Sequence, residues 1–272
     1  MRKLIQWMLT LMVCTILAIA AWIYYPKFKI NQMKEQAVTV ASSNQQTYLD
    51  YFRSLEKENL HHLALGDSII TGIGAENEEN FIDHFSKKLE DQTSKNVLTH
   101  NEGVPGITST QLNALVQKGT FDRQMKEADL ITINVGGNDI LQTMEGMNYR
   151  KVFQSFDSMQ STFIQNLTDI ARKIRESNQE ATIIFLEMYN PLKQSHELYS
   201  VADQLLPKWN VKIYELANSL EYTLVMETTK VINSSQLQYL SPDGVHPNSL
   251  GYKALSQQMI EQLKNKPFLK AA

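Results

Sequence analysis

Three hydrophobic patterns follow one another along the chain. From Leu4 to Tyr25 apolar residues run almost unbroken, with only Gln6, Thr10 and Thr15 interposed. At ~1.5 Å rise per residue such a run spans about 33 Å, which predicts a helix able to cross a bilayer. Residues 30–57 are polar, rich in Gln, Asn, Ser and Lys and free of Gly and Pro; they predict a part-helical stalk. From Leu60 onward, short apolar runs alternate with stretches of helical period. His62–Leu65, Val97–His100, Asp129–Val135, Thr182–Met188 and Thr223–Met226 are the expected strands. Several are apolar at nearly every position, as in parallel strands covered on both faces. The clearest helical stripe is Val152, Phe156, Met159, Phe163, Leu167, Ile170 and Ile174, with steps of three and four. A last helix is expected to start after Asn248 as N-cap and to bury Tyr252, Leu255, Met259 and Leu263. Strands alternating with helices predict an α/β domain of three layers, α/β/α, around a five-stranded parallel sheet. In such sheets the functional crevice lies outside the carboxyl ends of the strands. The expected organisation is an anchor over 1–29, a stalk over 30–57 and one folded domain over 58–272.

Composition adds constraints. A 43% apolar chain with 11 Gly and 7 Pro is ordinary for a globular protein. The single cysteine, Cys14, excludes an internal disulfide and a Cys-based metal centre. Net charge is −3, but residues 1–30 hold four cations and no acid, which leaves 22 cations against 29 acids in the remainder. An acidic body without a basic stripe does not fit a nucleic-acid binder. Arg2 and Lys3 precede the apolar run, and Trp22, Tyr24 and Tyr25 close it as an aromatic belt. The expectation is an uncleaved single-pass anchor with the body outside the cytoplasm. The alternative is secretion after cleavage near Ala18-Ile19-Ala20. A lipid-modified Cys14 is disfavoured by the bulky Val13 before it and the long apolar run after it.

Four blocks carry candidate chemistry. Gly66-Asp67-Ser68-Ile69 follows the first strand, where outward-facing amides favour negative charge; the plainer reading is a capped turn. Asn101-Glu102-Gly103-Val104-Pro105-Gly106 follows the second strand, and glycine there lets a backbone amide approach a ligand. Gly136-Gly137-Asn138-Asp139 closes the third strand, where an amide side chain can donate into the crevice or simply close a turn. Asp243-Gly244-Val245-His246-Pro247 precedes the last helix. A carboxylate three residues ahead of a histidine can hold imidazole Nδ1 and leave Nε2 free as a base.

Each block alone is weak. Together, in this order, they resemble the GDSL-type (SGNH) hydrolases over roughly Leu60 to Leu263. The resemblance implies a flavodoxin-like fold and a serine ester hydrolase (lipase, esterase or acylhydrolase) with an acyl-enzyme intermediate. It implies Ser68 as nucleophile, His246 as general base, Asp243 orienting it, and an oxyanion hole from the Ser68 and Gly106 amides and the Asn138 side chain. Ile69 stands where the family's name has Leu, a conservative change. Gly103 is the rival for the glycine role, and Gly106 is preferred because it heads Gly106-Ile107-Thr108. The expected substrate is an ester, on a lipid or an acylated glycan. No cofactor or metal is expected: His61, His62, His84, His100 and His196 lack ligand spacing. Asp67 and Asp139 are expected to brace loops, and Glu187 to be a hydrogen-bonded strand-end residue. Met144, Met147, Tyr189 and Leu192 are candidates for an acyl pocket, within selectivity loops expected over 141–149 and 189–200. The competing readings are a deacetylase of O-acetylated cell-wall glycans, a non-catalytic carbohydrate-binding module on the same fold, and a nucleotide-binding domain. The last lacks a phosphate loop, because Gly72 and Gly74 have no third glycine.

Overall fold

The computed structural model describes residues 2–39, 46–76, 80–144 and 149–268. Five parallel strands form one sheet in the order β2-β1-β3-β4-β5: β1 Asn59–Gly66, β2 Asn96–Gly103, β3 Leu130–Asn134, β4 Thr182–Leu186 and β5 Thr223–Met226. Alternate strand residues feed two cores. Leu63, Leu65, Ile131, Ile133, Ile183, Phe185 and Val225 pack on one face against α5 (Ser109–Gln117), α8 (Tyr149–Ser177) and α9 (Tyr199–Asn218). Ala64, Leu130, Ile184, Leu186, Leu224 and Met226 pack on the other against α2 (Tyr48–Ser54), α4 (Phe81–Thr93) and α10 (Ser249–Asn265). This is the expected three-layer α/β/α architecture. The stripe on α8 is core, with Phe163, Leu167, Ile170 and Ile174 buried, and burying each such side chain is worth about 1.5–3 kcal/mol. Asn248 caps α10, its Oδ1 accepting from the Gly251 amide at 2.9 Å.

β1 is longer than expected at both ends, β3 and β4 are each two residues shorter, and three further boundaries differ. β2 runs to Gly103 rather than His100; as an edge strand it pairs only with β1, so Thr99, Asn101 and Glu102 sit there without an apolar pattern to mark them. The loop expected over 141–149 is helical at both ends, because α7 (Gly137–Met144) and α8 reach into it; Met147 lies outside the described residues.

The third difference concerns the stalk expected over 30–57. Its residues 40–45 lie outside the described residues, and on either side of them the chain is bound to the domain. α1 continues from Arg2 to Thr39, and α2 buries Tyr48, Leu49 and Phe52 in the core. The first part of α1 is long and apolar enough to cross a membrane, and its apolar side chains, such as Leu4 and Trp7, are exposed. Its last part is docked: Ile30 and Met33 are buried against the core that contains α9. Lys34 Nζ stands 3.1 Å from both Glu187 Oε1 and Glu227 Oε2, two carboxylates only 2% exposed at the carboxyl ends of β4 and β5.

Removing Lys34 would leave these buried carboxylates short of a countercharge. Breaking a buried ion pair typically costs about 3–5 kcal/mol. Here Tyr214 still donates to Glu187, and Lys230 still pairs with Glu227. Lys34→Met is therefore expected to lower the unfolding free energy by about 3 kcal/mol, with most of it restored in Lys34→Arg. Urea unfolding of the full chain in detergent checks this; an unchanged midpoint in Lys34→Met would mean that the helix is not fastened here.

Candidate active site

The four blocks converge on the carboxyl edge of the sheet. Asp67 caps α3 (Ser68–Thr71), its Oδ1 accepting from the Ile69 amide at 3.0 Å. Ser68 thus sits at the first helical position, where the backbone N–H has no acceptor within the helix. Asn134, at the end of β3, clasps the turn: its carbonyl accepts from the Asp67 amide at 3.0 Å, and its Nδ2 donates to Asp67 Oδ1 at 2.9 Å. Burial pushes the Asp67 carboxyl up to about 6, against the opposing pull of these donors.

Ser68 Oγ lies 2.8 Å from His246 Nε2, and His246 Nδ1 lies 2.7 Å from Asp243 Oδ2. The other carboxylate oxygen, Oδ1, accepts from the amides of Val245 (2.8 Å) and His246 (2.9 Å). Partial burial alone would raise the Asp243 pKa, but these two amides and the imidazole outweigh it and hold it far below the ordinary carboxylate value. An ionised carboxylate only accepts, so Nδ1 carries the ring proton and donates to it, and Nε2 is left to accept from the Ser68 hydroxyl. Tyr189, in the segment that follows β4, steadies this loop, its hydroxyl donating to the Val245 carbonyl at 2.8 Å.

Ser68, Gly106, Asn138 and His246 line one cavity of about 440 Å³. Its walls are largely apolar, with Ile140, Phe156, Met159, Met188, Leu205 and Leu206 among them. The two candidate glycines part company here. Gly106 has φ +78° and nothing within 4 Å of where a Cβ would stand, so its backbone faces open space at the cavity. Gly103 packs against α3 instead, where a Cβ would come 2.7 Å from Thr71 Cγ2. Asn138 Nδ2 donates to the Ile107 carbonyl at 3.0 Å, which leaves its second N–H available. Asp139 braces the loop: its Oδ2 accepts from the Ser109 amide at 2.8 Å, and its Oδ1 from the Ser109 hydroxyl.

Tyr189 and Leu192 line the cavity, whereas only the backbone of Met144 is described. Glu187 is hydrogen-bonded at its strand end, Oε1 accepting from Tyr214 at 2.9 Å. Sequence reasoning missed Asn134 and Lys34. Asn134 directly precedes the Val135-Gly136-Gly137 turn, so its place at a strand end was the available signal. Nothing local marks Lys34.

The family model for the GDSL-like lipase/acylhydrolase family matches residues 64–254, a span that holds every residue of this constellation. The spore germination lipase LipC of Bacillus licheniformis is 30% identical over 205 residues, covering 74% of this chain and 94% of that one. Among solved structures, the lipase Lip_vut3 from a goat rumen metagenome superposes with a TM-score of 0.67 at 30% identity, over 75% of this chain and 97% of its own. A family 3 carbohydrate esterase of Clostridium thermocellum shares the fold at a TM-score of 0.55 and 16% identity, over 76% of this chain and 98% of its own. The chain therefore belongs to the GDSL-like lipase/acylhydrolase family, and it is an ester hydrolase.

Proposed function

We propose that the protein is a membrane-anchored serine hydrolase that cleaves esters of apolar acyl chains outside the cytoplasm, and that Ser68, His246 and Asp243 do the chemistry. The observation that carries this reading is a hydrogen-bonded line from Asp243 through His246 to Ser68 that ends at an apolar cavity. Ser68 Oγ attacks the acyl carbon while His246 Nε2 takes its proton. The carbonyl oxygen gains the charge, and the donors assigned to it are the amides of Ser68 and Gly106 and the second N–H of Asn138, all three residues lining the cavity. When the intermediate collapses, the ester C–O bond breaks and the alcohol leaves with the proton from His246. Water, activated by the same imidazole, then releases the acid and restores Ser68. α1 is the anchor in this reading, the stretch before residue 46 tethers the body, and residues 46–268 form the hydrolase domain.

The cavity walls favour a lipid acyl chain over an acetyl group, which would leave most of the apolar surface unfilled. Each buried methylene is worth about 0.8 kcal/mol, roughly a fourfold change in kcat/KM. A p-nitrophenyl ester series with the full chain in detergent is therefore expected to rise steeply from acetyl to medium chain length and then level off. An acetyl ester turned over fastest would favour the glycan deacetylase instead. A chain inert to every ester and unlabelled by a serine-directed phosphonate would favour a binding module.

A further inference from the structure

The docking of α1 also brings it beside one wall of the cavity. Lys34 meets Glu187 and Glu227 at the carboxyl edge of the sheet, the edge on which Ser68 and His246 lie. Twelve residues earlier, about 18 Å back along the helix, Trp22 lies under Lys208 of α9. Between them Lys27 pairs with Asp203 at 3.1 Å. Residues 22–27 of α1 thus stand beside the first half of α9. That half of α9 supplies Val201, Ala202, Leu205 and Leu206 to the cavity wall. The neighbouring stretch of α1 is an aromatic belt: Tyr24, Tyr25 and Phe28 are 69%, 57% and 63% exposed, as suits side chains at a membrane surface. Past Pro26, an internal proline, the last turns of α1 are held by the buried Ile30 and Met33 and by the Lys29–Glu215 pair.

On the ester-hydrolase and anchor reading above, we propose that the cavity faces the bilayer and takes the acyl chains of glycerolipid esters from the membrane that α1 itself crosses. The belt on α1 sets the height of the body, so the apolar wall built by α9 lies at the lipid surface. A chain then passes from bilayer to cavity without crossing water, whereas a lipid from another membrane must first leave it. Ile73 and Leu141, cavity residues that are 40% and 56% exposed, form the apolar rim that such a passage needs.

The test reconstitutes the full chain, with Cys14→Ser, in vesicles of phosphatidylethanolamine and phosphatidylglycerol. A fluorophore is attached through Ser200→Cys at the start of α9 or through Glu58→Cys at the opposite, amino edge of the sheet; both positions are exposed. A lipid-borne quencher is expected to quench the probe at 200 at least threefold more than the probe at 58. Acid release from lipid in the protein's own vesicles is expected to run at least tenfold faster than from protein-free vesicles of the same composition and lipid concentration. Equal quenching, or equal rates from the two vesicle populations, would overturn the proposal. Hydrolysis of p-nitrophenyl butyrate in the same samples separates the two levels. Its loss counts against the serine-hydrolase reading, while its persistence with equal quenching or equal rates counts against the orientation alone.

Discussion

Ser68→Ala is expected to abolish ester turnover, with a fall in kcat of about 10⁶, the scale seen when a serine nucleophile is removed from a comparable triad. The loss should not come from unfolding. Asp67, not Ser68, caps α3, and the Ser68 carbonyl still accepts from the Thr71 hydroxyl and the Gly72 amide after the substitution. The variant is thus expected to unfold at the wild-type temperature while a serine-directed phosphonate no longer labels it. Retained turnover in a pure Ser68→Ala sample would remove Ser68 from the chemistry. Retained labelling would place the reactive serine elsewhere.

Asp243→Asn tests the other end of the line, and here the local hydrogen bonds decide the outcome. The amides of Val245 and His246 both donate to Oδ1, so an asparagine must place its carbonyl oxygen there. Its NH2 group then occupies the Oδ2 position and presents a donor to His246 Nδ1. The ring must accept at Nδ1 and carry its proton on Nε2, which turns a donor toward Ser68 and removes the base. A fall in kcat between about 10³ and the ~10⁴ of a wrong-tautomer triad is expected. The Asp243 side chain is 44% exposed, so water can solvate part of the charge that develops on the imidazole, and the smaller end of that range is the better expectation. Steady-state kinetics on a medium-chain ester checks this. A kcat within tenfold of wild type would mean that Asp243 does not control the His246 tautomer.

The two substitutions differ in how far each site could be read along the chain. The Asp243–His246 contact is local: the residues are three apart, and the amides that hold the carboxylate lie within the same turn. A short pattern encodes such a contact because the backbone between its members has few ways to run. Asp67 as the cap of Ser68, and Asn248 as the cap of α10, are legible for the same reason. The central strands were legible because burial on both faces demands apolar side chains at nearly every position. β2 was legible only in part, since one of its edges is free and its polar residues meet no such demand.

The contacts between segments far apart in sequence were not legible. Asn134 holding Asp67, Gly103 pressed against Thr71, and α8 and α9 sharing one apolar wall follow from the order in which strands join and helices cover them. The polar run after the N-terminal apolar stretch shows this most sharply. Its composition reads as a solvated spacer, yet Lys34 serves as countercharge for two carboxylates about 150 and 190 residues away. What the amino-acid order by itself determined is the family, the alternation of elements and the four blocks that meet at the cavity, because each is written in composition, period or short-range spacing. What only the tertiary structure decided is which glycine faces the cavity, what lines it and how the N-terminal helix is held against it, because those depend on packing between surfaces that no local pattern specifies.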